Sequence, residues 1–140
     1  WILNLYPPYR GAGIRVDHID SQWKEIRVSL KLRWFNKNVV GTHFGGNLYS
    51  MADPHLMLLL MNRLGREYIV WDKTAAIEFI KPGRGKISAS FSVPDETLDN
   101  IIAQTESRGK CLPEFTVFLT DENQEKVAKV KKVLYIRKKR

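Results

Sequence analysis

The sequence predicts an α+β fold in which a curved antiparallel sheet of about six strands wraps around a central apolar helix. Three observations lead there. Over Trp23–Trp34, residues Ile26, Val28, Leu30, Leu32 and Trp34 alternate with Glu25, Arg27, Ser29, Lys31 and Arg33. A period of two buries one face of a strand and leaves the other in water. From Leu48 to Leu64 the chain is apolar on every side of a helix, with an unbroken run from Leu56 to Met61, and such a helix needs cover all round. Strand patterns lie on both sides of it in the chain. One layer wrapped around the other satisfies both demands.

The remaining elements follow in order. Trp1–Gly13 starts with an apolar turn or short helix and breaks at Pro7-Pro8, and Ile14–Asp20 alternates loosely as a first strand. After the central helix Gly65 is a natural stop. Tyr68–Lys81 reads as a long strand with Trp71, Ala75, Ile77 and Phe79 on one side, Pro82–Gly85 as a turn, and Lys86–Val93 as the next strand. Glu96–Ser107 carries the apolar stripe Leu98, Ile101, Ile102 of a short helix that ends at Gly109. Glu114–Thr120 and Lys126–Arg137 complete the set, with Lys132 interrupting the apolar face of the last strand. The order is β-β-α-β-β-(α)-β-β. At 140 residues the chain is expected to form one domain, 1–140.

Composition narrows the function classes. Hydrophobic content of 44% argues for a folded chain. Trp1–Arg10 lacks the basic and apolar regions of a signal peptide, and no apolar run reaches the ~20 residues of a bilayer span. A cytoplasmic protein without a membrane partner is expected. Cys111 is the only cysteine, which fits a reducing compartment. His18, His43 and His55 lack metal-ligand spacing, so no metal is expected. The net charge of +8 is concentrated in Glu125–Arg140, where eight basic residues face one acid. Such a patch attracts phosphates of any origin. Nucleic acid is disfavoured as a partner, because exposed aromatics are not interleaved with these charges beyond Tyr135.

Asp53-Pro54 has two readings in the residues alone. Asp can cap a helix that starts with Pro at its first position, or the helix can run on through Pro54, lose one bond to Ser50 and kink. His55, two residues from Asp53, cannot share its helix face, so no Asp–His dyad is expected.

The run Asn38-x-x-Gly41-x-x-Phe44-Gly45-Gly46, followed seven residues later by Asp53, resembles the phenylacetyl-CoA-type, PaaI-like thioesterases of the hotdog superfamily. Their pattern is an Asn, a His-Gly-Gly six residues on, and an Asp or Glu on the central helix. Here Phe44 stands where they have His, and Pro54 directly follows the acid. The likeness covers essentially the whole chain. It is nearest to a branch with GTHFGG, an Asp-Pro in the helix and a start like LNLYPPY.

The resemblance implies a hotdog fold and hydrolysis of an acyl-CoA or similar thioester, with coenzyme A as part of the substrate and no separate cofactor. It also implies a homodimer or homotetramer with sites between protomers. Asp53 would be base or nucleophile, a Gly45 or Gly46 amide would polarise the carbonyl, and Asn38 would position carbonyl or water. Phe44, His43, Gly41 and Met57 are the expected substrate contacts. The chemistry is reasonable for these residue types: a thioester carbonyl becomes an oxyanion in the transition state and needs donors aimed at it. Glycines entering a helix expose N–H groups and let a substrate approach the backbone. The competing expectation is a hotdog protein that binds acyl-CoA without turning it over.

Overall fold

In the structure, a computed structural model that describes residues 2–43 and 45–140, the chain forms an antiparallel sheet that wraps a central helical segment. Trp1 and Phe44, including the acyl contact expected at Phe44, lie outside the described residues. The strands are β1 (Ile14–Ile19), β2 (Glu25–Lys31), β3 (Tyr68–Phe79), β4 (Lys86–Ser92), β5 (Lys110–Cys111), β6 (Glu114–Thr120) and β7 (Lys126–Lys138). Their order across the sheet is β1-β2-β4-β6-β7-β3, with the two-residue β5 added on β7. The helices are α1 (Pro7–Ala12), α2 (Gly45–Ser50), α3 (His55–Leu64) and α4 (Asp95–Arg108). This is the hotdog fold.

The core is made by the apolar halves of the alternating strands and by the helical segment they cover. Ile26, Val28 and Leu30 from β2, Ile87 and Phe91 from β4, and Val130, Leu134 and Ile136 from β7 are buried with Leu48, Met51, Leu56, Leu59 and Leu60. Fully burying each such side chain contributes about 1.5–3 kcal/mol. The central helix is not one rod, however. α2 stops at Ser50, the Ala52 and Asp53 amides bond back only three residues to the Tyr49 and Ser50 carbonyls, and α3 begins after Pro54. Pro54 has no N–H to carry the ladder onward. Asp53 makes no side-chain cap to α3, and Pro54 itself occupies the cap position, so neither sequence reading of Asp53-Pro54 describes the junction. Nor is the helix covered all round: Met57 and Leu58 are half-buried and Met61 is exposed.

The short 3₁₀ turn Ile2–Leu5 ends before Pro7-Pro8, as expected, and the prolines then open α1, since proline suits a first helical turn. Two further expectations are corrected. β2 ends at Lys31, and Trp34 lies in the solvent, because the chain turns at Arg33–Asn36. In β3 the pairing with β7 shifts between Asp72 and Thr74. This bulge changes the parity of the strand, so Trp71 stacks outside on Tyr135 at 4.5 Å, whereas Asp72, Ala75 and Ile77 lie opposite inward Leu134, Lys132 and Val130.

The entry to the site is built on two turns. Asn36 Oδ1 accepts from the Arg33 amide at 2.7 Å, and its Nδ2 donates to the Ala12 and Lys31 carbonyls at 3.0 and 2.8 Å. A Cβ on Gly13, whose φ is +83°, would lie 2.5 Å from that Nδ2. Gly41 also has a positive φ, +80°, but among the described residues nothing lies within 4 Å of where its Cβ would be. Gly13→Ala is therefore expected to destabilise the protein by more than Gly41→Ala, which should cost only about 1 kcal/mol. Urea unfolding of the two variants checks the ranking.

Candidate active site

The residues from Gly41 to Asp53 divide into two places. Asn38 is committed to its own loop: Oδ1 accepts from the Val40 and Thr42 amides at 3.1 and 3.0 Å, while Nδ2 donates to Thr42 Oγ1 at 3.0 Å. Gly41 closes the turn with its amide on the Asn38 carbonyl at 3.0 Å. His43 is buried, its Nε2 2.7 Å from the Gly85 carbonyl and its amide bonded to the Gly83 carbonyl. Burial holds its imidazole below the usual range, against the opposing Gly85 contact. These three residues shape the loop and tie it to the 82–85 turn. Gly45 and Gly46 then open α2. A Cβ on Gly45 would lie 2.9 Å from the ring of Phe79, at the end of β3, so the glycine lets the helix entry rest against the edge strand. Met57 packs against the core from α3.

Gly45 and Gly46 stand at the start of α2 and Asp53 past its end, so the two groups lie at opposite ends of this helix.

Around Asp53 the structure assembles residues that sequence reasoning missed. The Tyr49 hydroxyl donates to Asp53 Oδ1 at 3.2 Å. Lys132 Nζ stands 3.5 Å from the same oxygen, donates to the Asp53 backbone carbonyl, and pairs with Asp72 Oδ2 at 3.0 Å. The Lys132 side chain is 1% exposed and that of Asp53 52%. Burial, then the Asp53 charge, pushes the Tyr49 phenol up to about 12, so it remains a donor at neutral pH. The signal for Lys132 was in the sequence: a lysine on the apolar face of a strand. Asp72 was hidden by the bulge, and Tyr49 by the expectation that it faced the core.

Beneath this cluster His55 Nε2 meets the Tyr9 hydroxyl at 2.8 Å inside the core. Its ring lies 4.9 Å from that of Phe91. Burial, reinforced by the Lys132 ammonium, lowers its pKa to about 3, while burial raises that of Tyr9.

Two other features frame the site. Trp34-Phe35 and Val39-Val40 occupy the centres of the Arg33–Asn36 and Asn38–Gly41 turns, and all four are exposed. Among the described residues β3 pairs only with β7 and leaves its other edge open, with Trp71 and Phe79 exposed. The basic cluster of the last strand is split. Lys132 points inward, and Lys129 and Lys131, at outward register positions, lie on the opposite face of the sheet from Asp53. Among the described residues no group of three or more His, Cys, Asp or Glu could hold a metal ion, and no helix is long and apolar enough to cross a membrane.

The family model described as a domain of unknown function, DUF4442, matches residues 1–136. The chain belongs to the DUF4442 family. No curated protein matches it. Solved structures share the fold of this DUF4442 protein at low identity. A Pseudomonas aeruginosa protein of unknown function, called a probable thioesterase, superposes with a TM-score of 0.83 at 20% identity, covering 96% of this chain and 89% of its own. A Chlorobaculum tepidum protein of unknown function gives 0.77 at 19%, with 99% and 90% covered. A Haemophilus influenzae thioesterase gives 0.70 at 13%, with 98% and 87% covered.

The His55 environment of this DUF4442 protein makes a pH prediction. Its folded pKa lies below the unfolded value near 6.5, so the unfolded chain binds the extra proton first. The associated stability is complete above pH 6.5 and is lost as pH falls toward about 3, on the order of 2 kcal/mol by pH 4.5. His43, also lowered, acts in the same direction. Urea midpoints at pH 7 and 4.5 should therefore differ, and His55→Gln, which keeps an amide group for Tyr9, should reduce the difference.

Proposed function

We propose that this DUF4442 protein hydrolyses an acyl-CoA or related thioester, in the manner of the PaaI-like enzymes it resembles, at a site shared between two protomers. The observation that carries this reading is the state of Asp53. Its carboxylate is half-exposed, with Tyr49 and Lys132 both on Oδ1, and among the described residues Oδ2 has no hydrogen-bond partner. An acid held by one oxygen with the other open to solvent suits a general base.

Asp53 would take a proton from water as the water oxygen adds to the thioester carbonyl carbon. The Gly45 and Gly46 amides of the facing protomer would receive the developing oxyanion. Collapse breaks the C–S bond, and the proton returns from Asp53 to the departing thiolate. A direct attack by Asp53, through an anhydride that water then cleaves, uses the same groups. Asn38, His43 and Gly41 would act by holding the glycine loop, and Met57 by lining the acyl chain.

The placement of Asp53 and the glycines at opposite ends of α2 supports sharing. The open β3 edge and the exposed apolar turns supply surface for a second protomer to cover, and uncovered edges of this length invite pairing. The fold held in common with the Haemophilus influenzae thioesterase agrees with this chemistry.

Thiol release from short, medium, long and aryl acyl-CoAs tests the proposal, with Asp53→Asn alongside. Turnover on at least one substrate is expected, falling by about 10²–10⁴ in the variant at unchanged fold. Light scattering should give a dimer or tetramer. Binding without turnover would leave a carrier of acyl-CoA, and a monodisperse monomer would remove the shared site.

A further inference from the structure

We propose that Lys132, braced by Asp72, is a positioning residue that fixes both the main chain and the carboxylate of Asp53. The inference rests on the hydrolytic reading of Asp53 and adds to it the part of the sheet that aims the acid. Lys132 occupies an inward register position on β7, between buried Val130 and Leu134, where every other consideration favours an aliphatic side chain. A lysine is almost never this buried unless its charge is paired.

Its ammonium has three N–H donors, and three oxygens surround it: the Asp53 carbonyl, Asp53 Oδ1 at 3.5 Å and Asp72 Oδ2 at 3.0 Å. Two of the three belong to Asp53.

The reason lies in the helix break. The helical bonds of α3 start with the Leu58 amide on the Pro54 carbonyl at 2.9 Å. The Asp53 carbonyl is left one residue outside this ladder, and Lys132 takes it. A single cation from the sheet thereby locks the junction between α2 and α3 and sets where the carboxylate begins. Tyr49 and the ammonium on Oδ1 then direct Oδ2 outward. Asp72, brought inward by the β3 bulge, keeps the ammonium in place, and among the described residues its Oδ1 is buried without a partner.

A pair that served only stability could be exchanged for apolar groups of similar size with little loss, whereas removal of one member leaves a buried charge. The informative variant is therefore the double one, Lys132→Met/Asp72→Leu, compared with Lys132→Met, Lys132→Arg and wild type. Three quantities are read: thermal midpoint, kcat and KM for thiol release, and amide hydrogen exchange across 51–58. The double variant is expected to keep its midpoint, lose about tenfold to a hundredfold in kcat at nearly unchanged KM, and exchange these amides at least about tenfold faster. Lys132→Arg should recover part of the kcat.

Unchanged kcat and exchange in the folded double variant would overturn the proposal, as would a loss confined to KM. If Lys132→Met does not fold, the double variant decides alone. If the wild-type protein releases no thiol from any acyl-CoA, the hydrolytic reading fails by that result. The exchange data then still decide whether Lys132 orders the segment.

Discussion

A proline cannot donate the hydrogen bond that would carry a helix past it, and the surroundings of Asp53 depend on this one missing donor. Without Pro54 the apolar stretch from Leu48 to Leu64 could form a continuous rod, with Asp53 on its flank and its carbonyl inside the ladder. With Pro54 the rod divides, and Asp53 falls at the join with its carbonyl open to capture. The sheet answers from the opposite side through Lys132. The core on either side of the junction is conventional: Leu48 and Met51 before it, Leu56, Leu59 and Leu60 after it, all buried under β2, β4 and β7. The local irregularity is therefore held between two well-packed segments, which is how a strained or polar arrangement survives in a small protein.

Electrostatics divides the same region into a dry layer and a wet one. His55 and Tyr9 form the dry layer, where burial keeps the imidazole neutral and the phenol protonated. Asp53 is in the wet layer, and Lys132 stands between them. Its charge suppresses protonation of the histidine behind it while attracting the carboxylate in front. Replacing Lys132 would thus relieve the histidine of a repulsion and deprive the carboxylate of a partner in one step.

The fold was largely legible because its strands obey a period of two. β2, β4 and β6 bury the residues that alternation selects, and α4 follows its stripe and its glycine stop. Alternation failed where a local event reset it. Trp34 was read as the next inward residue of a strand that the Asn36 turn had already ended, and Trp71 was assigned to the face of Ala75 across an unseen bulge. The candidate site was legible in a different way. The spacing of Asn38, Gly45, Gly46 and Asp53 singled out a segment, but the groups that surround Asp53 come from β3 and β7, far along the chain. Lys132 showed as a lone defect in a pattern, and a defect does not name its partner. Only the folded register brings residue 132 to residues 53 and 72.

The bulge in β3 has a consequence for how this strand can vary. A substitution on either side of it changes one side chain and leaves the others facing as before. Loss of Lys73 would close the bulge into a regular ladder, with Asp72 still opposite Leu134 and Thr74 still opposite Val133, so both halves of the strand would keep their faces. Loss or gain of a residue elsewhere in the strand would instead exchange inside for outside on one side of the change. Either the tryptophan–tyrosine stack or the counter-ion of the buried lysine would then end on the wrong surface. Relatives with the same arrangement should therefore tolerate a change in length at the bulge more readily than elsewhere in this strand.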